Sequence, residues 1–338
     1  MASLWNQYFS PRGEWSVDDV PDQSGKVFLI TGGTSGLGRC GLSVQVLLAR
    51  NARVYITSRG HEKGRQAVNE LRRISEAIYV LQMDLSDLYS VQKAAYEFVR
   101  CEQYLHCLIN NAGVMAPPIA LLTRQQYDLQ FGVNVIGHFY LTQLLLPVLL
   151  GTAKVTAQKV RVLNYTSSAP PAPRIDYTTL MDGPVRRRYT PAQLYRQSKL
   201  GCLLLAQELA EQYGEQGIVS IAINPGNVRT NLNRYSGGVF GSLWDMFSTH
   251  VSKGILTPLF AATHPKAESL NGKILHAFGR VDTIPDTVTE RCAQETLWDW
   301  LEAQMECFDR TISPPHSAGL RADSLDVVTM YSSQVKLI

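Results

Sequence analysis

Seven apolar runs alternate with helix-length amphipathic segments along this chain, and that alternation limits the fold more than any other feature. The runs are KVFLIT (26–31), ARVYITSR (52–59), AIYVLQMDL (77–85), LHCLINNAG (105–113), VRVLNYTSS (160–168), IVSIAINPG (218–226) and GKILHAFG (272–279). Between them lie helical patterns such as EKGRQAVNELRRI, SDLYSVQKAAYEFVRC, TRQQYDLQFGVNVIGHFYLTQLLLPVLL and YRQSKLGCLLLAQELAEQYG. Strand, helix and strand in repetition demand parallel strands joined by right-handed crossovers, with helices on both faces. The expected architecture is therefore α/β, a doubly wound parallel sheet of seven strands. No linker-like stretch divides it, so one domain over about 24–280 is expected, with an N-terminal arm (1–23) and a C-terminal helix and tail (281–338).

Composition narrows the partners. With 45% hydrophobic residues in 338 the chain can bury a large core, and a net charge of +3 gives no electrostatic footprint for nucleic acid. A small-molecule partner is favoured. Six cysteines without CxxC spacing suit a reduced, cytoplasmic protein, and seven histidines without HExxH spacing suggest no metal site. No uninterrupted apolar run reaches the roughly twenty residues of a membrane span. Trp5, Tyr8, Phe9 and Trp15 in the N-terminal arm are expected to pack against the domain.

Ligands of doubly wound sheets bind beyond the carboxyl ends of the strands. Behind the first run comes TGGTSGLGR, with Gly32, Gly36 and Gly38 between strand and helix. Glycines there allow a tight turn and a close approach of main chain to a pyrophosphate, which the N-terminus of the next helix then faces. A dinucleotide site is expected. The second run ends in Ser58 and Arg59, with no acidic residue for a ribose 2′-hydroxyl; a hydroxyl and a guanidinium suit a 2′-phosphate, so NADP(H) is favoured over NAD(H).

Tyr195 and Lys199 stand four residues apart on a helical pattern and share one face. A free tyrosine ionises near pH 10, and an adjacent ammonium favours the phenolate. Such a pair can pass a proton to or from a substrate oxygen. Ser168, at a strand's carboxyl end, could bind that oxygen, with Ser167 as the fallback.

Taken in order, TGGTSGLG, NNAG (110–113), the serine after the fifth strand, YRQSK (195–199) and NPG (224–226) resemble the short-chain dehydrogenase/reductase family. The likeness covers about residues 24–280, and QFGVNVIGHFYLTQLLLP and SRGHEKG look most like its retinol-dehydrogenase-like branch, including fungal relatives of unassigned substrate. It implies a Rossmann fold and a catalytic set of Ser168, Tyr195, Lys199 and Asn134, the asparagine supporting a water-linked proton path from the lysine. It also implies cofactor contacts from Thr31, Gly32, Thr34, Ser35, Gly36, Leu37 and Gly38, from Ser58 and Arg59, and from Asp84 and Leu85. Asn111, Ala112 and Gly113 would line the adenosine ribose, Tyr195 and Lys199 the nicotinamide ribose, and Pro225, Gly226, Val228 and Thr230 the nicotinamide.

The activity implied is NADP(H)-dependent interconversion of a carbonyl and an alcohol. Reduction of an activated carbon–carbon double bond, or a catalytically silent NADP(H) sensor, would use the same phosphate loop. Residues 231–260 read as a substrate lid whose Trp244, Met246 and Phe247 suit an apolar substrate. Arg186, Arg187 and Arg188 read as a solvated loop, residues 289–308 as a helix over the sheet edge, and 313–338 as a mobile or irregular tail. Family members often pair through the helices carrying Asn134 and Tyr195, so a homodimer or homotetramer is possible, or a monomer if the C-terminal segment covers those faces.

Overall fold

The structure is a computed structural model that describes residues 15–34, 42–167, 169, 171–226, 254–277, 280–282 and 291–312. The strands are β1 (Val27–Ile30), β2 (Arg53–Ser58), β3 (Ile78–Gln82), β4 (Cys107–Asn110), β5 (Val160–Tyr165), β6 (Ile218–Ile223), β7 (Ile274–His276) and β8 (Arg280–Asp282). They form one sheet in the order β3-β2-β1-β4-β5-β6-β7-β8. The seven expected strands are all present and parallel; an eighth, β8, pairs antiparallel with β7 and corrects the expected strand count. At three residues β8 is too short to leave a periodic signal.

The helices are α1 (Leu42–Ala49), α2 (His61–Leu71), α3 (Leu88–Cys101), α4 (Gly137–Thr156), α5 (Pro191–Tyr213), α6 (Leu256–Thr263) and α7 (Arg291–Ile312). Alternation along β1 shows how the layers arise. Val27 and Leu29 face a core shared with α3, α4, α5 and α7, whereas Phe28 and Ile30 face one shared with α1, α2 and α6. Burial on both faces explains why the inner strands are apolar without interruption.

Local chemistry sets the helix starts. Asp87 caps α3, its side chain accepting the Tyr89 N–H, and α5 opens with a capping box between Thr190 and Gln193 and with Pro191 in its first turn. The segment expected to be helical from 123 begins only at Leu129, because Asp128 accepts the N–H groups of Gln130 and Phe131 and caps the helix there. A π turn over Gly132–Ile136 then leads into α4. Residues Leu129–Thr156 are long and apolar enough to cross a membrane by length and composition, yet 78% of their most apolar window is buried against the rest of the protein.

Two further expectations are corrected. α7 lies across the helices and not over the sheet edge: Trp298 meets Phe139 and Tyr213, Trp300 meets Tyr127, Phe131 and Tyr177, and Phe308 meets Tyr89 and Tyr140. Its stripe of Leu297, Trp298, Leu301, Met305 and Phe308 buries against α4 and α5. Arg186, read as solvated, is 1% exposed and ion-paired with buried Asp128 at 2.9 Å, while Arg187 pairs with Asp182 at the surface. Trp15 does pack on the domain, edge-on to Phe260; Trp5, Tyr8, Phe9, most of the expected lid and the tail from 313 lie outside the described residues.

Candidate active site at the strand ends

The chain leaves β1 for β2 in one direction and returns to β4 in the other, so a crevice opens between the carboxyl ends of β1 and β4. Thr31 and Asn111 meet across it. The Thr31 hydroxyl accepts the main-chain N–H groups of Asn111 and Ala112, both at 3.0 Å, and Asn111 Nδ2 donates to the Thr31 carbonyl at 2.8 Å. Gly32 follows with φ +67°, its N–H given to Thr57 Oγ1 at 3.0 Å. A side chain on Gly32 would put its Cβ 2.9 Å from that of Ala112, so only bare backbone fits between the two strand ends. This bare, half-buried shelf of Gly32 and Asn111–Gly113 fits the diphosphate and ribose of a dinucleotide. Thr34 is buried beside it; Ser35, Gly36, Leu37 and Gly38 lie outside the described residues.

At the end of β2, Arg59 is exposed, but the Ser58 hydroxyl is turned inward and donates to the Gly60 carbonyl at 2.9 Å. That bond holds the entry to α2. After β3, Asp84 Oδ1 accepts the N–H and hydroxyl of Ser86 at 2.9 and 2.7 Å, fixing the turn in which buried Leu85 sits. After β6, the Gly226 N–H donates to Asn224 Oδ1 at 3.0 Å, and Asn224 Nδ2 donates to His276 Nδ1 at 2.9 Å, which anchors the Pro225–Gly226 turn to β7. Val228 and Thr230 lie outside the described residues.

Tyr195 and Lys199 come together one turn apart on α5. They are 7% and 6% exposed, and the Lys199 ammonium stands 5.9 Å from the centre of the Tyr195 ring. Lys199 Nζ also donates to the Tyr165 carbonyl at 2.8 Å, and Thr166 Oγ1 to the Lys199 carbonyl at 3.2 Å, so the pair is fixed against the end of β5. Gly201 lets α5 come this close: a Cβ there would stand 2.8 Å from Val135 in the π turn. Ser168 lies outside the described residues; Ser167 beside it is half-buried, its hydroxyl accepting the Ala169 N–H at 3.1 Å.

Asn134 is buried in the π turn. Its Oδ1 accepts the Val114 N–H at 2.9 Å, and its Nδ2 donates to the Val114 carbonyl at 3.1 Å and to Ser198 Oγ at 2.9 Å. Its main-chain oxygen accepts from His138 Nδ1 at 3.1 Å and from Cys202 Sγ at 3.3 Å. Burial pushes the His138 imidazole down to about 4 and the Cys202 thiol up. His138 and Ser198 are polar partners that the motif reading passed over. The available signal was a lone histidine four residues after Asn134 in an otherwise apolar run, and a serine inside YRQSK.

Comparison with known proteins settles the family. The model of the short chain dehydrogenase family matches residues 26–179. A short-chain dehydrogenase/reductase of Armillaria gallica is 44% identical over 308 residues, covering 90% of this chain and 98% of its own. The chain belongs to the short-chain dehydrogenase/reductase family. It is an oxidoreductase. Human retinol dehydrogenase 12, 36% identical over 280 residues (81% of this chain, 84% of that one), places retinol-dehydrogenase-like proteins among the relatives of this short-chain dehydrogenase/reductase. Among solved structures, an NADPH-bound carbonyl reductase from chicken fatty liver shares the fold with a TM-score of 0.59 at 24% identity, over 78% of this chain and 100% of that one. The Pseudomonas aeruginosa RhlG/NADP complex does so at 0.59 and 22%, over 74% and 94%.

Proposed function

We propose that this short-chain dehydrogenase/reductase uses NADP(H) to interconvert a carbonyl and an alcohol, with Tyr195 as general acid and base. One observation carries the reading: an ammonium 5.9 Å from the centre of a phenol ring, both side chains buried, at the strand-end crevice of a dinucleotide-type sheet. The nicotinamide, when bound, supplies or takes the hydride. Gly32, Asn111–Gly113 and the Pro225–Gly226 turn would hold the dinucleotide along the strand ends, together with the glycines of the first turn. Arg59 would meet the 2′-phosphate, since β2 ends with no acidic side chain to repel it. The RhlG and chicken carbonyl reductase structures, described with NADP and NADPH, support that choice of cofactor.

During reduction Tyr195 gives its proton to the substrate oxygen as charge develops there, and during oxidation it takes one. The bond from Lys199 Nζ to the Tyr165 carbonyl fixes where the ammonium sits beside Tyr195. Ser168, two residues beyond Thr166, would hold the substrate oxygen against Tyr195. The neighbouring Ala169, Pro171, Ala172 and Pro173 suit an apolar substrate.

The test is a panel of apolar aldehydes and ketones and their conjugated analogues, with NADPH or NADH, and with every product identified. The reading expects alcohol products and faster turnover with NADPH. Products saturated at the carbon–carbon bond, or tight NADPH binding without any turnover, would replace it by one of the two alternatives.

A further inference from the structure

Two runs of buried hydrogen bonds, joined through the covalent frame of Asn134, lead from the dinucleotide shelf to the backbone of Tyr195, and their direction follows from the chemistry of their members. A carbonyl can only accept, so His138 Nδ1, 3.1 Å from the Asn134 oxygen, carries the ring proton. Burial keeps the ring neutral, which leaves a lone pair on Nε2, and the Thr31 hydroxyl 2.8 Å away donates to it. That hydroxyl accepts in turn from the Asn111 and Ala112 N–H groups. Beyond His138, Asn134 Nδ2 donates to Ser198 Oγ at 2.9 Å, and the Ser198 hydroxyl donates to the Tyr195 carbonyl at 2.8 Å. Every donor points toward Tyr195. Thr31, Asn134, His138 and Ser198 are all at most 3% exposed. Within each run the buried hydrogen bonds, aligned head to tail, polarise and strengthen one another, and Asn134 holds the two runs in fixed relation through its own backbone and side chain.

We propose that His138 is a positioning residue: it couples the shelf at Thr31, Asn111 and Ala112 to Tyr195, so that one polar framework sets both the cofactor's seat and the phenol's reach. This rests on the proposed function, in which that shelf holds the dinucleotide and Tyr195 moves the proton. Like the Thr31 and Ser198 hydroxyls, His138 must accept on one side and donate on the other. Phenylalanine can do neither. Glutamine, with one carbonyl oxygen and one amide nitrogen, can do both.

The experiment measures NADPH affinity by fluorescence titration and the single-turnover hydride-transfer rate, using a substrate from the panel above. The proteins are wild type, His138→Phe, His138→Gln, Thr31→Val, Thr31→Ser and the His138→Phe/Thr31→Val double variant. His138→Phe is expected to weaken NADPH binding and to slow transfer by about 10- to 100-fold, the cost of losing a buried partner and misplacing a reacting group. His138→Gln should recover most of both. The double variant should be no worse than the poorer single one, because both cut the same chain. Nitrogen-15 NMR of the wild-type imidazole should show the neutral Nδ1–H tautomer. Wild-type behaviour of His138→Phe, equal damage from Gln and Phe, additive penalties, or an Nε2–H tautomer would each overturn the proposal. Should His138→Phe fail to fold, Thr31→Val against Thr31→Ser asks the same question: valine must lower NADPH affinity where serine does not, and equal affinities would overturn it. Tyr195→Phe is run alongside. Undiminished turnover there ends the proposed reaction, whereas an inactive Tyr195→Phe beside a wild-type-like His138→Phe ends the coupling alone.

Discussion

The corner around Tyr195 and the corner at the end of β2 serve the same proposed ligand and are built in opposite ways. Around Tyr195 the side chains of Asn134, His138, Ser198 and Lys199 are buried and each has a named partner. At the end of β2 one exposed guanidinium, Arg59, stands beside a serine whose hydroxyl is already given to Gly60. A group that must reach a reacting atom has to be held before the substrate arrives, and burial with satisfied hydrogen bonds does that. A group that only meets a phosphate at the rim can wait in water, which screens it and lowers its worth. The chemistry of this enzyme should therefore be brittle and its cofactor preference adjustable.

That contrast can be broken in four places. Lys199→Met removes the ammonium beside the buried phenol and should slow turnover by about 100-fold or more at saturating NADPH; a steady-state assay giving near-normal kcat would mean the corner does not depend on its ammonium. Next comes the buried pair behind the loop that leads into α5. Arg186→Leu strands Asp128 without its cation, and burial already pushes that carboxyl up. Chemical denaturation should show a loss of about 3–5 kcal/mol, while a change near zero would place Arg186 with the solvated charges.

The third concerns pH. The folded protein holds His138 down at about 4, below its ordinary 6.5, so between those values the unfolded chain binds more protons than the folded one. Stability should be full above about pH 6.5 and fall as pH drops toward 4. His138 alone contributes on the order of 3 kcal/mol to that fall, and His106, His264 and His276, all lowered by burial, act in the same direction. His138→Gln should flatten the decline in melting temperature; an unchanged slope would show the ring is not held neutral. The smallest effect belongs to the rim. Arg59→Ala should weaken NADPH binding by roughly 10-fold, as for a lost hydrogen bond to a charged group, and leave NADH binding unaltered in the same titration.

Residues that act through local spacing were legible in the sequence. The strand runs stand out because both sheet faces are covered, and Tyr195 and Lys199 stand out because one helical turn brings any such pair together. What stayed hidden depends on contacts distant in sequence. Arg186 sits in a proline-rich, charge-rich stretch that looks solvated, and its partner Asp128 is 58 residues away. His138 looks like one polar interruption of an apolar helix until Thr31, 107 residues earlier, is set beside it. The aromatic stripe of α7 is visible as a helix, but that it covers α4 and α5 depends on the packing of Trp298 against Phe139 and Tyr213. That the Ser58 hydroxyl is given to the Gly60 carbonyl is likewise set by the turn after β2 and not by residue type.

The account stands on proton transfer by Tyr195. Its most direct test is the single-turnover rate of hydride transfer in Tyr195→Phe and wild type, both at saturating NADPH and substrate. The account predicts a rate lower by about 100-fold or more in the variant. Equal rates would contradict it.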